Sequence, residues 1–334
     1  MNPLLVSICV PVYGVEKYIE RCARSLFEQS YENVEFVFVN DCTKDGSIDV
    51  LKKVLLEYPT RAKDTKIIDH ERNQGLGAAR NTAVKNASGD FLMWVDSDDY
   101  VDKTIVEKCI LKQNATDADI VTVGAIRLTP KCNIPMTDKK YSSVKSHLSA
   151  VIERKAQTHI WGRLIRRSLY VNNDIGVLPG ANMGEDYQVL PRLLFFSKKT
   201  EFVEESLYYY DCMNENSYSN QFSIAKNEQS WMSFDVIKKF FNDKDEYKKS
   251  IAVAELSVIV SHFIMSEKEH LDYYYENARK RVPSIHSQYW KYIPVVRRMV
   301  LYVYKSRFVM NVYIKTSRFF RQACLYMRFR KVTE

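Results

Sequence analysis

Asp96-Ser97-Asp98-Asp99 places three carboxylates within four residues. Packed side by side they repel one another, and the turn carrying them is destabilised unless a cation neutralises them. At i and i+2 of a turn, two carboxylates can face one hard cation, and Mg2+ or Mn2+ bound there also takes phosphate oxygens. A second acidic position, Asn40-Asp41, follows the apolar run VEFVFV at 34–39. Alone, an Asp after a strand is an ordinary turn or helix-capping residue. A third candidate is Gly75-Leu76-Gly77-Ala78-Ala79-Arg80, a fragment of the G-x-G-x-x-G fingerprint of dinucleotide-binding dehydrogenases. The fragment is a poor match. Arg80 stands where the third glycine belongs, and polar residues 70–74 separate the preceding strand from the glycines.

These residues need a scaffold that brings them together. Apolar runs at 6–13, 34–39, 66–69, 91–95 and 120–126 read as strands. Helical spacing falls between them, at 16–29 (Ile19, Cys22, Leu26, Phe27), 47–57 (Ile48, Leu51, Val54, Leu55), 75–85 and 103–113. Strand and helix alternate, which specifies an α/β fold with a mostly parallel sheet and helices on both faces. In open α/β sheets ligands bind at the carboxyl ends of the strands. Asp41 and the acidic turn at 96–99 both fall there.

The chain has 334 residues, enough for about two domains. Its 46% hydrophobic content, with only 10 Gly and 9 Pro, excludes a disordered or collagen-like chain. The 7 cysteines form no C-x-x-C pair, which fits a reducing cytosol and argues against structural zinc. No apolar run reaches the ~18 residues of a membrane span. The N-terminal residues read as the first strand and not as a signal peptide.

Charge is unevenly placed. From Arg279 onward there are 14 Lys/Arg and one acid, Glu334, for +13; with +8 for the whole chain, residues 1–278 carry 8 − 13 = −5. A basic tail on an acidic body points to a polyanionic surface. In the tail, Arg307, Asn311, Lys315, Arg318, Arg321 and Gln322 fall on one helical arc. Phe308, Val309, Val312, Tyr313, Phe319, Phe320 and Ala323 fall opposite, and Ile314 and Thr316 break the pattern. That division describes an in-plane membrane helix on an anionic membrane surface. The alternatives are a helix packed on the body or a nucleic-acid-binding helix; no nucleic-acid-binding module accompanies it, so no nucleic acid is expected. Residues 226–278 read as further helices. The expected division is 1–215, 216–285 and 286–334.

Five segments resemble glycosyltransferase family 2 in order and spacing over roughly residues 4–102: Val6-Ser-Ile-Cys-Val-Pro-Val-Tyr-Gly, Glu16-Lys-Tyr-Ile, Val39-Asn-Asp-Cys-Thr-Lys-Asp-Gly-Ser, Asn73-Gln-Gly-Leu-Gly-Ala-Ala-Arg-Asn and Val95-Asp-Ser-Asp-Asp-Tyr. Trp161-Gly-Arg-Leu-Ile-Arg-Arg-Ser-Leu and Gly184-Glu-Asp extend the likeness to about residue 211. The resemblance implies a GT-A fold, a nucleotide-sugar donor, a divalent metal and inversion at the anomeric carbon. Asn40-Asp41-Cys42 departs from the family, which more often has two acids and then a small residue; Asp41 itself is retained.

Carried over, the resemblance makes Pro11, Val12 and Tyr13 a wall against the nucleotide base. Asp41 accepts the imide N–H of uracil, which favours UDP, and Arg72 lies near the base or diphosphate. Asp96 and Asp98 match the D-x-D pair that holds Mn2+ or Mg2+ and the ribose, with Asp99 able to share the role. Glu185 and Asp186 are either acids placed favourably at a helix N-terminus or the site of the general base. In the second reading Asp186 takes the acceptor proton, with Glu185 as the alternate. Trp161 is a sugar platform or a core residue. The implied activity is transfer from a UDP-sugar to a glycan or lipid-linked acceptor, at the cytoplasmic face of a bacterial membrane. The other classes are a nucleotide-sugar-binding protein without transfer and a metal-dependent nucleotidyltransferase. The latter normally has a Gly-rich phosphate loop after the first strand, where this chain has only Gly14.

Overall fold

Val6–Val12 forms β1, and all seven of its residues are buried because it runs between two other strands with both faces covered. The computed structural model describes residues 3–138, 140–214, 223–265, 271–295, 298, 301–302, 306 and 312. After β1 come α1 (Ile19–Phe27), β2 (Val34–Asn40), α2 (Ser47–Leu56), α3 (Pro59–Ala62), β3 (Thr65–Asp69), α4 (Leu76–Asn86) and β4 (Phe91–Trp94). Then follow β5 (Tyr100–Val101), α5 (Ile105–Thr116), β6 (Ile120–Leu128), β7 (Asn133–Met136), α6 (Val144–Ile152), β8 (Arg163–Arg166), α7 (Arg167–Val171), α8 (Glu185–Phe196) and β9 (Thr200–Asp211). α9 (Ile224–Phe240), α10 (Lys248–Met265) and α11 (Leu271–Arg281) follow.

The sheet runs β3-β2-β1-β4-β8-β6-β9-β5, with β7 paired to β6. The expected parallel arrangement describes β3-β2-β1-β4. Beyond β4 the sheet is mixed: β8 is antiparallel to both β4 and β6, β9 is parallel to β6, and β5 is antiparallel to β9. The reversal at β8 has a consequence for the site. β6 and β9 again point the same way as β4, so Asp211 at the end of β9 returns to the edge where β1, β2 and β4 end.

At the opposite edge, Glu35 of β2 is buried and ties neighbouring segments together. Its carboxylate accepts from Ser7 Oγ, from Lys66 Nζ at 2.9 Å, from Ser88 Oγ at 2.8 Å and from the Gly89 N–H at 3.2 Å. Burial alone would raise its pKa; the hydrogen bonds from Lys66, Ser7 and Ser88 outweigh burial and pull it down to about 2. A Cβ at Gly89 would lie 2.7 Å from Ser7 N, so the chain can pass so close to β1 only as glycine.

The described residues divide into two units, Met1–Val151 with Ala156–Phe240, and Ile152–Lys155 with Phe241–Glu334. The first holds the sheet. In the second, α10 buries Val253, Leu256, Ile259 and Val260. Glu255 of α10 is buried and pairs with Arg281 of α11 at 3.4 Å. The amphipathic segment 307–323 lies outside the described residues, Val312 apart.

Candidate active site

The parallel strands end along one edge, and the chemistry-bearing residues stand just past them: Tyr13 after β1, Asp41 after β2, His70 after β3 and the acidic turn after β4. Asp41 is buried and both its oxygens are engaged. Oδ1 lies 2.8 Å from His70 Nδ1 and accepts the Gln74 N–H at 2.8 Å, while Oδ2 accepts the Gly75 N–H at 2.7 Å. His70 Nε2 lies 2.8 Å from Thr82 Oγ1 on α4. Gly75 has φ +89°, and a Cβ there would lie 2.1 Å from Asn182 Nδ2. Asn182 Oδ1 also accepts the Gly77 N–H at 3.2 Å. The amides of the Gly-Leu-Gly turn therefore serve Asp41 and Asn182, which leaves no open cradle of N–H groups for a dinucleotide pyrophosphate. Pro11 and Val12 are buried in β1, whereas Tyr13 is 50% exposed beside Asp41's strand, and Arg72 is exposed on the turn between β3 and α4.

Past β4, the Asp99 N–H closes the acidic turn onto the Asp96 carbonyl at 3.0 Å. Asp99 is fully buried. Its Oδ2 accepts from Tyr208 Oη at 2.6 Å and its Oδ1 from the Asp211 N–H at 2.7 Å. Asp98 is half-buried and accepts from Asn214 Nδ2 at 2.9 Å. Arg21 reaches the same corner, donating to the Asp98 carbonyl at 3.0 Å and to Asp211 Oδ2 at 2.7 Å. Burial, with the Asp96 charge added, pushes the Asp98 carboxyl up to about 6. Burial and the charges of Asp98 and Asp96 raise Asp99 well above the usual carboxylate range.

Arg80 connects this turn to the other acidic pair. It lies on the buried face of α4 with its guanidinium 3% exposed. Nη2 donates to Asp96 Oδ1 at 3.1 Å; Nη1 donates to Glu185 Oε1 at 3.1 Å and to Asp186 Oδ1. Glu185 and Asp186 open α8 after Gly184, whose φ is +78°. Burial pushes Glu185 up to about 8 and raises Asp186, with Arg80 opposing both. For Arg80 itself, burial works against the charge, but Asp186, Asp96 and Glu185 outweigh burial and hold it protonated.

The donor set suits a divalent metal. Carboxylate oxygens are the hard donors that Mg2+ and Mn2+ prefer, and the acids here exceed the guanidinium charge beside them. Among the described residues no group of three His, Cys, Asp or Glu side chains is placed to hold a metal ion by itself. The open carboxylates are Asp96 and Asp98, with Asp99 beneath them, so a metal held here would take phosphate and water as its remaining ligands. Trp161 is a core residue. It is 6% exposed, with the His159 ring stacked 3.5 Å from its own and the Tyr208 ring 4.4 Å away.

Residues 7–172 match the model for Glycosyl transferase family 2. The chain belongs to glycosyltransferase family 2. Among its relatives, EpsH of Bacillus subtilis is 30% identical over 218 residues, 63% of this chain and 61% of that protein. Poly(ribitol-phosphate) beta-N-acetylglucosaminyltransferase TarS of Staphylococcus aureus is 26% identical over 66% of this chain and 37% of TarS. The chain thus spans less than two thirds of each of these relatives. The crystal structure of TarS 1–349 in complex with UDP-GlcNAc superposes with a TM-score of 0.75 at 19% identity, covering 96% of this chain and 92% of that one. The mannosyltransferase PcManGT of Pyrobaculum calidifontis, solved with GDP-Man and Mn2+, gives 0.52 at 11% identity over 91% and 87%. The fold is therefore GT-A.

Within this family member, sequence reasoning passed over Arg80, Tyr208, Asp211 and Asn214. Arg80 had a signal of its own: a charge on the Ala-rich face that buries Ala79 and Ala83. The other three lie at and just beyond the end of β9, more than a hundred residues from the turn they hold, and no local pattern links them.

Replacing Arg80 by Gln leaves Glu185 and Asp186, both already raised by burial, without their cation. A carboxyl whose folded pKa is raised above its unfolded value destabilises the fold as pH climbs past the unfolded value. The variant should therefore lose most at high pH: about 10 °C in melting temperature at pH 8, from a buried-pair penalty of roughly 3–5 kcal/mol. The deficit should shrink steadily toward pH 5. Thermal melts across that range check the sign, and a deficit that grows on acidification contradicts it.

Proposed function

We propose that this chain is an inverting glycosyltransferase that moves a sugar from a UDP-sugar to a hydroxyl of a glycan or lipid-linked acceptor, assisted by Mn2+ or Mg2+, in the synthesis of a bacterial surface polysaccharide. The observation that carries the reading is the junction at Arg80. One guanidinium joins the carboxylate of Asp96 to those of Glu185 and Asp186, so a phosphate-and-metal locus and a candidate base share one small volume. A binding protein has no need of acids at the second position. A nucleotidyltransferase loop is missing after β1, where Gly14 alone breaks the chain.

In this reading Tyr13 lies against the base and Asp41 receives the uracil imide N–H on a lone pair its three bonds leave free. Pro11 and Val12 back Tyr13 from β1, and Arg72 approaches the diphosphate from its exposed turn. Asp96 and Asp98 hold the metal. When bound, the metal neutralises charge developing on the departing UDP. Asp186 takes the proton from the acceptor hydroxyl; its raised pKa makes it a better base than an ordinary carboxylate. Glu185, held by the same guanidinium and raised by the same burial, is the alternate base. The likeness to TarS, whose complex holds UDP-GlcNAc, favours a UDP-N-acetylhexosamine among UDP donors. The basic tail, 286–334, docks the enzyme on the anionic inner face of the membrane; among the described residues no helix is long and apolar enough to cross it.

Three outcomes are expected. Calorimetry with UDP should give binding strengthened by Mn2+, and Asp98→Ala should abolish that gain; equal affinity in EDTA and in Mn2+ would sink the metal assignment. Asp186→Asn should lower transfer by roughly 10²-fold, the low end of general-base effects, while leaving UDP affinity near wild type. Transfer at the wild-type rate moves the base elsewhere. The full chain should pellet with anionic vesicles and less with neutral ones, and a truncation ending near Ser287 with neither. Full-length protein staying in the supernatant at low salt removes the membrane from the proposal.

A further inference from the structure

Tyr208 is fully buried on β9, yet its hydroxyl reaches the acidic turn after β4 from 109 positions away. The hydroxyl works in both directions. It donates to Asp99 Oδ2 at 2.6 Å and accepts the Asp96 N–H at 3.1 Å. It thereby spans the two ends of the turn, on either side of Asp98. The Asp211 N–H holds the other oxygen of Asp99, so the last turn of β9 fixes that carboxylate at both oxygens.

The ring of Tyr208 is itself held. It stacks on Trp161 at 4.4 Å and 20°, and His159 and Tyr210 also stack on Trp161. Between them in sequence, the Ile160 backbone supplies a hydrogen bond to Asp186. One short segment, 159–161, therefore touches the base and packs the tyrosine that sets the metal turn. A hydroxyl has one proton and two lone pairs, and here a proton and a lone pair are both used on the turn.

We propose that Tyr208 is a positioning residue that sets the aim of Asp96 and Asp98 toward the donor's metal. The inference rests on the metal-assisted reading of this site. Tyr208 touches no ligand. It acts through Asp99 and the Asp96 backbone, and it makes Asp99 the buried anchor of the turn, leaving metal contact to its neighbours. Without the hydroxyl, the Asp96 N–H and Asp99 Oδ2 lose their partners in a buried setting, and the turn is free to relax.

Tyr208→Phe keeps the stack on Trp161 and removes only the hydroxyl. UDP titrations with EDTA and across a Mn2+ series separate positioning from general damage. Metal-free UDP affinity, set at Asp41, should stay within about twofold. The Mn2+-dependent gain should fall about tenfold, the order expected for one orphaned buried hydrogen-bond pair, with the Mn2+ midpoint shifted upward. A Phe variant with the full wild-type gain overturns the proposal while the metal reading stands. Absence of any Mn2+ gain in the wild type overturns the metal reading and this inference with it. Should Tyr208→Phe lose metal-free binding through misfolding, p-aminophenylalanine at 208 carries the test, since its N–H can still donate to Asp99. Its gain should lie within threefold of wild type, and a loss as complete as that of Asp98→Ala overturns the proposal.

Discussion

The guanidinium of Arg80 sits where three carboxylates from two distant parts of the chain meet, and it is almost wholly out of water. Burying a cation or an anion alone is strongly unfavourable, whereas a cation that donates to several anions at once offsets much of that desolvation. The cluster is thus self-consistent only when complete. α4 must present Arg80, β4 must end at Asp96, and α8 must begin at Glu185. Each of these demands is met by a local device: small residues on the buried face of α4, four buried residues in β4, and a left-handed Gly184 before α8. The balance is also uneven. Arg80 opposes burial at Glu185 and Asp186 without overcoming it, and both remain raised. The residual electrostatic frustration faces the open edge of the sheet.

That edge is completed by β9, which ends on the same side as β4 although the strand between β4 and β6 is reversed. With β8 antiparallel to both neighbours, β9 runs alongside β6 in the sense of β4. Its end then delivers Tyr208, Asp211 and Asn214 to Asp99 and Asp98. The D-x-D turn is consequently a tertiary structure and not a local one. Its conformation is written in a strand more than a hundred residues downstream.

The legible part of the fold was the part made of unbroken patterns. β1, β2 and β4 are buried on both faces and read as continuous apolar runs, and α1 and α2 carry clean helical spacing. Helix α1 begins at Ile19 and not near Glu16 because Glu16 is taken by tertiary bonds: its carboxylate accepts the Gly46 N–H and its own N–H donates to Asp45. β5 has two residues and no periodicity to read. β8 holds Arg163, fully buried and bonded to Thr122 and the His159 carbonyl, in a position where a pattern reader expects an apolar side chain. Asp41, Asp96, Asp98 and Glu185-Asp186 were visible as acids at the right ends of elements. What joins Asp96 to Glu185 and Asp186 was hidden, because Arg80 was read as a missing glycine when it was a cation among alanines.

Glu35 and the segments it binds lie at the edge of the sheet away from all of this chemistry. Its single carboxylate draws Ser7, Lys66, Ser88 and Gly89 onto β2, pinning the strands where they begin. The ends that bear the reactive groups are therefore not the ends that hold the strands in register. Such a separation lets a lineage exchange the loops that choose a sugar or an acceptor without loosening the frame. Side chains past the strand ends can therefore change without touching the contacts at Glu35.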